Sequence, residues 1–300
     1  MPELPEVETV RRGLSELIVG RRVLAVEALN DKSFEYVGAS DEDLIGAKVT
    51  EIRRRGKVLI IDLSSGCSLV GHLKMTGQMV FRGGSDWAAG HPTDSFVGEL
   101  PDRSTRVMFE LSARPKEANF SGAKLFFNDQ RKFGWIKLMP TAQVEDLPFL
   151  QKMGPEPFWE TAESEFLRNI RRHPRSLVKA AILDQTVMAG IGNIYADESL
   201  WAAKVHPATR VGDLSDRQLR QIFQAARAVM TKSIESGGST MKNYIRADGT
   251  RGDYLEKFAN VFRREGQACR RCGTTIEKIR VAGRGTHICP KCQHPPTAKA

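Results

Sequence analysis

The 300-residue sequence predicts an α+β chain of several parts: a leading helix, a β-rich N-terminal half, a helical middle and a small C-terminal hairpin. Three patterns predict it. Val7, Val10, Leu14, Leu17 and Ile18 recur at helical spacing, with Gly20 as the stop. Residues 21–138 read as short segments rich in Val, Ile, Leu and Phe, many of them separated by Gly, Asp or Ser. Four of the five cysteines fall in two close pairs near the C-terminus. The length suits about two domains, and 41% hydrophobic residues are enough to build real cores.

The helix begins from Met1-Pro2-Glu3-Leu4-Pro5-Glu6-Val7-Glu8. A Met before a small Pro is normally removed, so Pro2 is the expected first residue, with a secondary α-amine beside a carboxylate. An α-amine has an unperturbed pKa of about 7.7–8.0. A useful fraction is therefore nucleophilic near neutral pH without the strong desolvation a lysine needs. Such an amine attacks aldehyde-like carbon to form a Schiff base, and Glu3 stands where it can move the protons. The same residues also suit a plain helix start, because Pro is favoured at the first helical position and acids in the first turn complement the dipole.

Seven segments, Arg22–Leu29, Val49–Arg54, Lys57–Leu63, Cys67–Leu73, Arg106–Leu111, Lys124–Asn128 and Trp135–Leu138, predict a sandwich or flattened barrel over residues 1–139. Between Gly83 and Gly122 the pattern loosens, and Gly83-Gly84-Ser85, Ala88-Ala89-Gly90 and Arg114-Pro115-Lys116 read as surface insertions. Three stretches here carry chemistry-bearing side chains. Arg53-Arg54-Arg55-Gly56-Lys57 places a lysine between a basic and an apolar strand, where solvation of a sheet edge is the competing explanation. His72-Leu73-Lys74-Met75-Thr76-Gly77 ends a strand on a His, a Lys and a Met, and a packed Met is the ordinary reading. Asn128-Asp129-Gln130-Arg131-Lys132-Phe133-Gly134 sets a Phe among basic residues, suited either to filling a gap in a duplex or to a hairpin turn with one core Phe.

Residues 140–158, with Pro140, Pro148, Pro155 and Pro157, are the expected linker, and residues 159–260 the helical domain. Ser215 and Gln218 have capping-box spacing and Leu214 can staple against Leu219. Leu219, Ile222, Phe223, Ala226, Val229, Met230 and Ile234 then mark one apolar face. A second helix is expected after Gly190-Ile191-Gly192-Asn193-Ile194-Tyr195, ending before His206-Pro207. Glycines ahead of a helix let its free N–H groups approach a phosphate, with Asn193 at the mouth, although a packing turn has the same signature.

Residues 261–294 hold the most specific spacing, with residues 295–300 left as a tail. Cys269-Arg270-Arg271-Cys272 and Cys289-Pro290-Lys291-Cys292 lie sixteen residues apart, the pattern of a tetrathiolate zinc site. Four protein ligands close the coordination sphere, so one zinc ion would be structural. Disulfides are the alternative, disfavoured in an intracellular setting. Arg280 and Arg284 fall in the intervening hairpin, near its expected tip. Cys67, alone in an apolar run, suits a buried inert thiol.

Lys and Arg exceed Asp and Glu by 45 to 36, for a net charge of +9. Residues 237–300 hold 13 basic against 5 acidic side chains, which is +8 of that total. A basic domain points to a polyanion, most simply nucleic acid, unless it is only a solubilising face. With no secretory signal, no apolar run near 18 residues and no lipidation motif, a soluble intracellular chain is expected, with no membrane partner.

Taken together, these residues resemble the bacterial formamidopyrimidine-DNA glycosylase family, bifunctional enzymes that excise oxidised purines. The resemblance runs nearly end to end, and it rests on Pro2-Glu3-Leu4-Pro5-Glu6-Val7-Glu8-Thr9, Gly56-Lys57, His72–Gly77, Asp129–Gly134, Gly190–Ala196 and the paired cysteines. It implies an N-terminal β-sandwich with a leading helix, a helix–two-turns–helix domain with a damaged-base loop near Lys242–Tyr254, and a zinc-finger hairpin. It further implies a cytoplasmic monomer with damaged double-stranded DNA in the cleft between the domains. Residue by residue, Pro2 would be the nucleophile on C1′, Glu3 the proton shuttle and Glu6 a supporting carboxylate. Lys57 and His72 would be phosphate and active-site contacts, and Lys179 a further basic contact. Asn193 and Arg284 would grip phosphate, and Met75, Arg131 and Phe133 would fill the hole left by an everted base. Cys269, Cys272, Cys289 and Cys292 would hold the zinc. The implied reaction is base excision through a Schiff base, followed by β- and δ-elimination. The chain departs from the family in a longer 83–122 insertion and in Arg103-Ser104-Thr105-Arg106, which replaces a segment often rich in His.

Two rivals stand beside this. The related endonuclease VIII branch uses the same Pro and Glu on oxidised pyrimidines, but Leu4 and the Arg131/Phe133 arrangement argue against it. A non-enzymatic zinc-containing DNA binder explains the charge and the cysteines and leaves the N-terminus without a reason.

Overall fold

Helix α1 (Leu4–Ile18) forms where the apolar spacing predicts it, with Leu4, Val7, Val10, Leu14 and Ile18 buried along one face. Gly20, at φ +91°, turns the chain out of the helix in a conformation that L side chains rarely adopt. The computed structural model describes residues 1–84, 86–114, 122–238 and 257–295. These divide into two units: residues 1–151 with 236–238, and residues 152–235 with 257–295.

The first unit continues through β1 (Val23–Ala28), β2 (Phe34–Tyr36), a short α2 (Asp41–Leu44), β3 (Val49–Arg55), β4 (Val58–Leu63), β5 (Cys67–His72), β6 (Gly77–Arg82), β7 (Trp87–Gly90), β8 (Thr105–Leu111), β9 (Ala123–Asp129) and β10 (Trp135–Pro140). These build two five-stranded sheets, β1-β8-β9-β6-β7 and β2-β10-β5-β4-β3. Leu59, Ile61 and Leu69 of one sheet share a continuous core with Val107, Phe109 and Leu125 of the other, and the apolar face of α1 joins it. The expected sandwich is therefore the observed one, with the leading helix packed against β3 and β7. A Cβ at Gly13 would fall 2.2 Å from the Trp87 ring, so α1 and β7 meet without room for a methyl group.

Strands β2, β6 and β7 were not legible in the sequence. Ala88-Ala89-Gly90, expected as a surface insertion, is instead the buried end of β7. Small residues and Gly carry little β propensity. At Gly90 the glycine is required by proximity, since a Cβ there would lie 2.5 Å from the Gly77 carbonyl oxygen. Of the expected linker, Thr141–Asp146 forms a 3-10 helix and Pro148–Gln151 a short α3, both within the first unit.

The second unit contains α4 (Ala162–Ile170), α5 (Val178–Leu183), α6 (Asn193–Ala202), α7 (Asp216–Glu235) and the hairpin β11 (Glu277–Val281) with β12 (Arg284–Ile288). Ser215 and Gln218 bond reciprocally as a capping box at the start of α7. Its apolar face packs Phe223 against Phe166 of α4, ring centroids 5.4 Å apart. Helix α6 is buried on all sides from Tyr195 to Trp201, including Asp197 and Glu198. The expected damaged-base loop near 242–254 lies outside the described residues.

Glu8 ties α1 to the sheet. Its carboxylate accepts from Arg11 at 2.8 Å, Arg12 at 2.9 Å and Arg54 of β3 at 3.1 Å, while Arg54 also reaches the Gly56 carbonyl at 3.0 Å. Burial alone would push this carboxyl up, yet hydrogen bonds from Arg11 and Arg12 and the charges of Arg11 and Arg54 hold it at about 2. A folded value below the ordinary 4.5 means the network stabilises fully above pH 4.5, and that this stability is lost as pH falls towards 2. The melting-temperature gap between wild type and Glu8→Gln should accordingly be constant above pH 4.5 and shrink below it. A gap that ignores pH would show that the ion pairs contribute nothing.

Candidate functional site

At the N-terminal end of α1, Pro2 and Glu3 are both buried, Glu3 to 2% exposure. Glu3 occupies the N-cap, and Glu6 folds back so that its Oε2 accepts the Glu3 N–H at 2.8 Å. This return bond uses a donor that no helical carbonyl can reach and fixes the backbone next to Pro2. Gly238, at φ +90°, brings its backbone against the same spot: a Cβ there would meet Thr9 Oγ1 at 3.4 Å and Glu6 Oε1 at 3.5 Å. Sequence reasoning missed Gly238, because a glycine after a helix signals a stop as readily as a close approach.

Lys57 sits at the β3–β4 hairpin. Arg55 pairs with Val58, leaving Gly56 and Lys57 as the turn, and Gly56 takes φ +56°. Glycine at the first central position is what a type II′ turn requires. Lys57 is buried, and its charge acts on His72, whose strand position is opposite Val58. Burial, with the charges of Lys74 and Lys57, pushes the His72 ring down to about 3. The ring is thus neutral at physiological pH. Its Nδ1 accepts the Lys74 N–H at 2.9 Å, so the proton resides on Nε2, which is left as a donor.

Met75, Arg131 and Phe133 come together at the surface. Met75 is 40% exposed and Phe133 53%, and the Arg131 guanidinium lies over the Phe133 ring at 4.9 Å and against Met75 Sδ at 3.7 Å. Asp129, fully buried at the end of β9, organises the turn that carries them. Its carboxylate accepts the Thr76 hydroxyl, the Arg131 N–H at 3.2 Å and the Gly134 N–H at 2.6 Å. Lys132 adopts φ +58° to close it. The exposed apolar pair is therefore held by a buried charge, which a core-Phe hairpin would not need.

In the second unit, Asn193 begins α6 and its amide donates to the Gly285 carbonyl at 3.0 Å. Arg284, exposed, is the first residue after the Ala282-Gly283 turn, where both residues have positive φ as in a type I′ hairpin. Asn193 and Arg284 are thus brought to adjoining positions, beside an open cleft of about 470 Å³ lined in part by Arg263, Lys278 and His287. Lys179 is a correction. Expected as a basic contact, it is 0% exposed, and its ammonium donates to Asp197 at 2.6 Å, Thr286 Oγ1 at 2.7 Å and the Gly285 carbonyl at 3.3 Å. Three donors meet three acceptors inside the protein, so Lys179 positions the hairpin instead of reaching phosphate.

The sulfurs of Cys269, Cys272, Cys289 and Cys292 all lie within 4.8 Å of one another. Zinc–thiolate bonds of about 2.3 Å place tetrahedral sulfurs roughly 3.8 Å apart, so the donor set fits one structural zinc. Main-chain N–H groups of Arg271 and Cys292 point at Cys269 Sγ and Cys289 Sγ, each at 3.4 Å, as thiolate sulfurs require. Trp201 and Val261 pack beneath, and Glu198 accepts the N–H groups of Asn260, Val261 and Phe262 at 2.9–3.0 Å.

Comparison with known proteins agrees with this geometry along the chain. Residues 1–136 match the formamidopyrimidine-DNA glycosylase N-terminal domain, residues 153–244 its H2TH domain, and residues 266–295 the zinc finger found in FPG and IleRS. A formamidopyrimidine-DNA glycosylase of Pelotomaculum thermopropionicum is 39% identical over 295 residues, covering 98% of this chain and 99% of the relative. Lactococcus lactis Fpg (MutM), solved with N7-benzyl-Fapy-dG DNA, superposes with a TM-score of 0.81 at 32% identity, covering 98% of this chain and 100% of that one. The MutM (Fpg) protein of Thermus thermophilus gives 0.79 at 36% identity, with 97% and 98% covered. With all three parts matched in order and a relative alike over its whole length, the chain belongs to the formamidopyrimidine-DNA glycosylase family.

Proposed function

We propose that this chain is a bifunctional DNA glycosylase and abasic-site lyase that removes oxidised purines, 8-oxoguanine and formamidopyrimidines, from duplex DNA in base excision repair. It acts as a monomer in a bacterial cytoplasm. The observation that carries the reading is the immobilised start of α1, where buried Pro2 adjoins buried Glu3 and Glu6 secures the backbone between them. The substrate class follows the family and its Fapy-dG complex.

Loss of Met1 frees the Pro2 amine, which attacks C1′ of the damaged nucleoside as the bond from C1′ to the base breaks and the base leaves. Glu3 delivers a proton to the sugar ring oxygen as the ring opens, leaving an iminium between Pro2 N and C1′. Removal of a C2′ proton expels the 3′ phosphate, a second elimination expels the 5′ phosphate, and water hydrolyses the iminium. Neutral His72 donates from Nε2 and Lys57 offers its charge to backbone phosphate beside the lesion. Met75, Arg131 and Phe133 occupy the hole left by the flipped nucleotide, while Asn193 and Arg284 hold phosphate from the second unit.

Three outcomes test the reading. Borohydride with an 8-oxoguanine duplex should trap a crosslink that peptide mass analysis places on Pro2. Protein with residues left ahead of Pro2 should bind without crosslinking or cutting, and Glu3→Gln should lose base excision. A crosslink on Lys57, or full activity with a blocked N-terminus, would remove Pro2 from the mechanism.

The cysteine hairpin has little core of its own, so zinc supplies its folding energy. Elemental analysis should give one zinc per chain, and Cys269→Ser should weaken duplex binding more than it lowers the melting of the sandwich. Native protein without zinc would refute this.

Arg131 donates hydrogen bonds only, which suits the acceptors of an orphaned cytosine over the donor edge of adenine. Arg131→Ala should flatten a preference of about 1–3 kcal/mol for 8-oxoguanine opposite C over A. An unchanged ratio would mean that Arg131 does not read the partner base.

A further inference from the structure

Arg106 lies at the start of β8, and the structure gives it a specific task. Pairing between β8 and β9 steps from Thr105 opposite Asn128 to Val107 opposite Phe127, so Arg106 is the extra residue of a β-bulge. A bulge takes one side chain out of the usual alternation and re-aims it. Arg106 is only 6% exposed, and its guanidinium spans three carbonyls: Nε to Asp129 at 2.7 Å, one terminal nitrogen to Thr105 at 3.1 Å and the other to Arg103 at 3.0 Å. A guanidinium cannot shed its proton, so burial is tolerable only because its donors are met.

Its main target is Asp129, whose carboxylate organises the turn bearing Arg131 and Phe133. The Asp129 main chain is gripped from the other side of the same segment as well, its N–H donating to the Ser104 carbonyl at 2.8 Å. That segment is itself knotted. The Asp102 carboxylate accepts the Ser104 N–H at 2.7 Å, the Ser104 hydroxyl at 2.6 Å and the Ser95 hydroxyl at 2.5 Å. The insertion between β7 and β8 therefore ends as a strut under the turn.

We propose that Arg106 is a positioning residue for opposite-base discrimination, setting through the Asp129 main chain the turn from which Arg131 reads the partner base. This rests on the reading of Arg131 and Phe133 as the wedge. A lysine gathers its donors on one nitrogen and cannot span the three carbonyls that the guanidinium reaches from three separate nitrogens, whereas it keeps a buried cation, so Arg106→Lys loosens the turn with the least damage elsewhere.

Single-turnover excision of 8-oxoguanine opposite C and opposite A should be compared in wild type, Arg106→Lys, Arg131→Ala and the double variant. Arg106→Lys should lower the C-to-A ratio roughly fivefold or more, the scale of one oriented contact to a base edge. In the Arg131→Ala background it should leave the ratio where it stands, because the residue through which it acts is gone. A wild-type ratio in Arg106→Lys overturns the assignment, as does an equal change in both backgrounds, the mark of general loosening. Arg106→Gln should move the ratio the same way as Arg106→Lys, and if it fails to fold the lysine variant decides alone. Borohydride trapping on an abasic duplex does not depend on the orphaned base. Its absence from wild type would remove the reaction itself and this assignment with it, whereas trapping with an unmoved ratio removes only Arg106.

Discussion

The apolar face of α1 is the constraint on which the catalytic reading depends. Chain termini are ordinarily the least ordered part of a domain, and a nucleophile at residue 2 needs the opposite. Leu4, Val7, Val10 and Leu14 have no solvent exposure, and each such side chain contributes roughly 1.5–3 kcal/mol when buried. With that much area committed to the sandwich core, the start of the helix cannot fray without exposing it. Glu8 adds a second anchor through Arg54, which continues to the Gly56 carbonyl and so couples the helix to the turn that carries Lys57. The start of α1 and the Lys57 turn are thus tied to one strand, β3.

Elsewhere the structure uses buried carboxylates to shape irregular backbone. An ionised carboxylate only accepts, with about four sites to fill, so it can gather N–H groups that no ladder satisfies. Asp129 gathers those of the wedge turn, Glu198 those of residues 260–262, and Asp197 joins Lys179 to the N–H and ring of His287. Removing one partner from the buried Lys179–Asp197 pair would cost about 3–5 kcal/mol, because the remaining charge is left unpaired. Loops organised in this way hold their exposed residues in place, which suits Arg131, Phe133 and Arg284 better than a flexible turn would.

How much of this the sequence disclosed follows from the range of each interaction. Periodicity found α1 and α7, which each bury one face, and runs rich in Val, Ile, Leu and Phe found seven strands, because both signals are recorded locally. Cysteine spacing found the zinc site for the same reason. Strand β7 escaped because Ala88, Ala89 and Gly90 carry little β propensity, and nothing within their own segment signals that Gly90 must approach Gly77 closely. Gly238 beside Glu6 is hidden in the same way, since the two lie in distant parts of the sequence. The quoted motifs named Met75, Arg131 and Phe133, but not Asp129 as the buried group that unites them.

Basic residues give the sharpest instance of that limit. A surplus of nine positive charges suggests a polyanion, yet the count cannot distinguish a side chain that meets DNA from one that holds the protein together. Lys179, Arg106 and Arg21 are all but removed from solvent, with Arg21 donating to the Leu17 and Ser112 carbonyls. The three donate to acceptors inside the protein, and the salt dependence of binding counts only phosphates neutralised. On the function proposed above, the grip on DNA falls to exposed groups such as Arg284 and Arg131, while Lys179 bonds the hairpin that carries Arg284, and Arg106 bonds the strand end from which the Arg131 turn leaves.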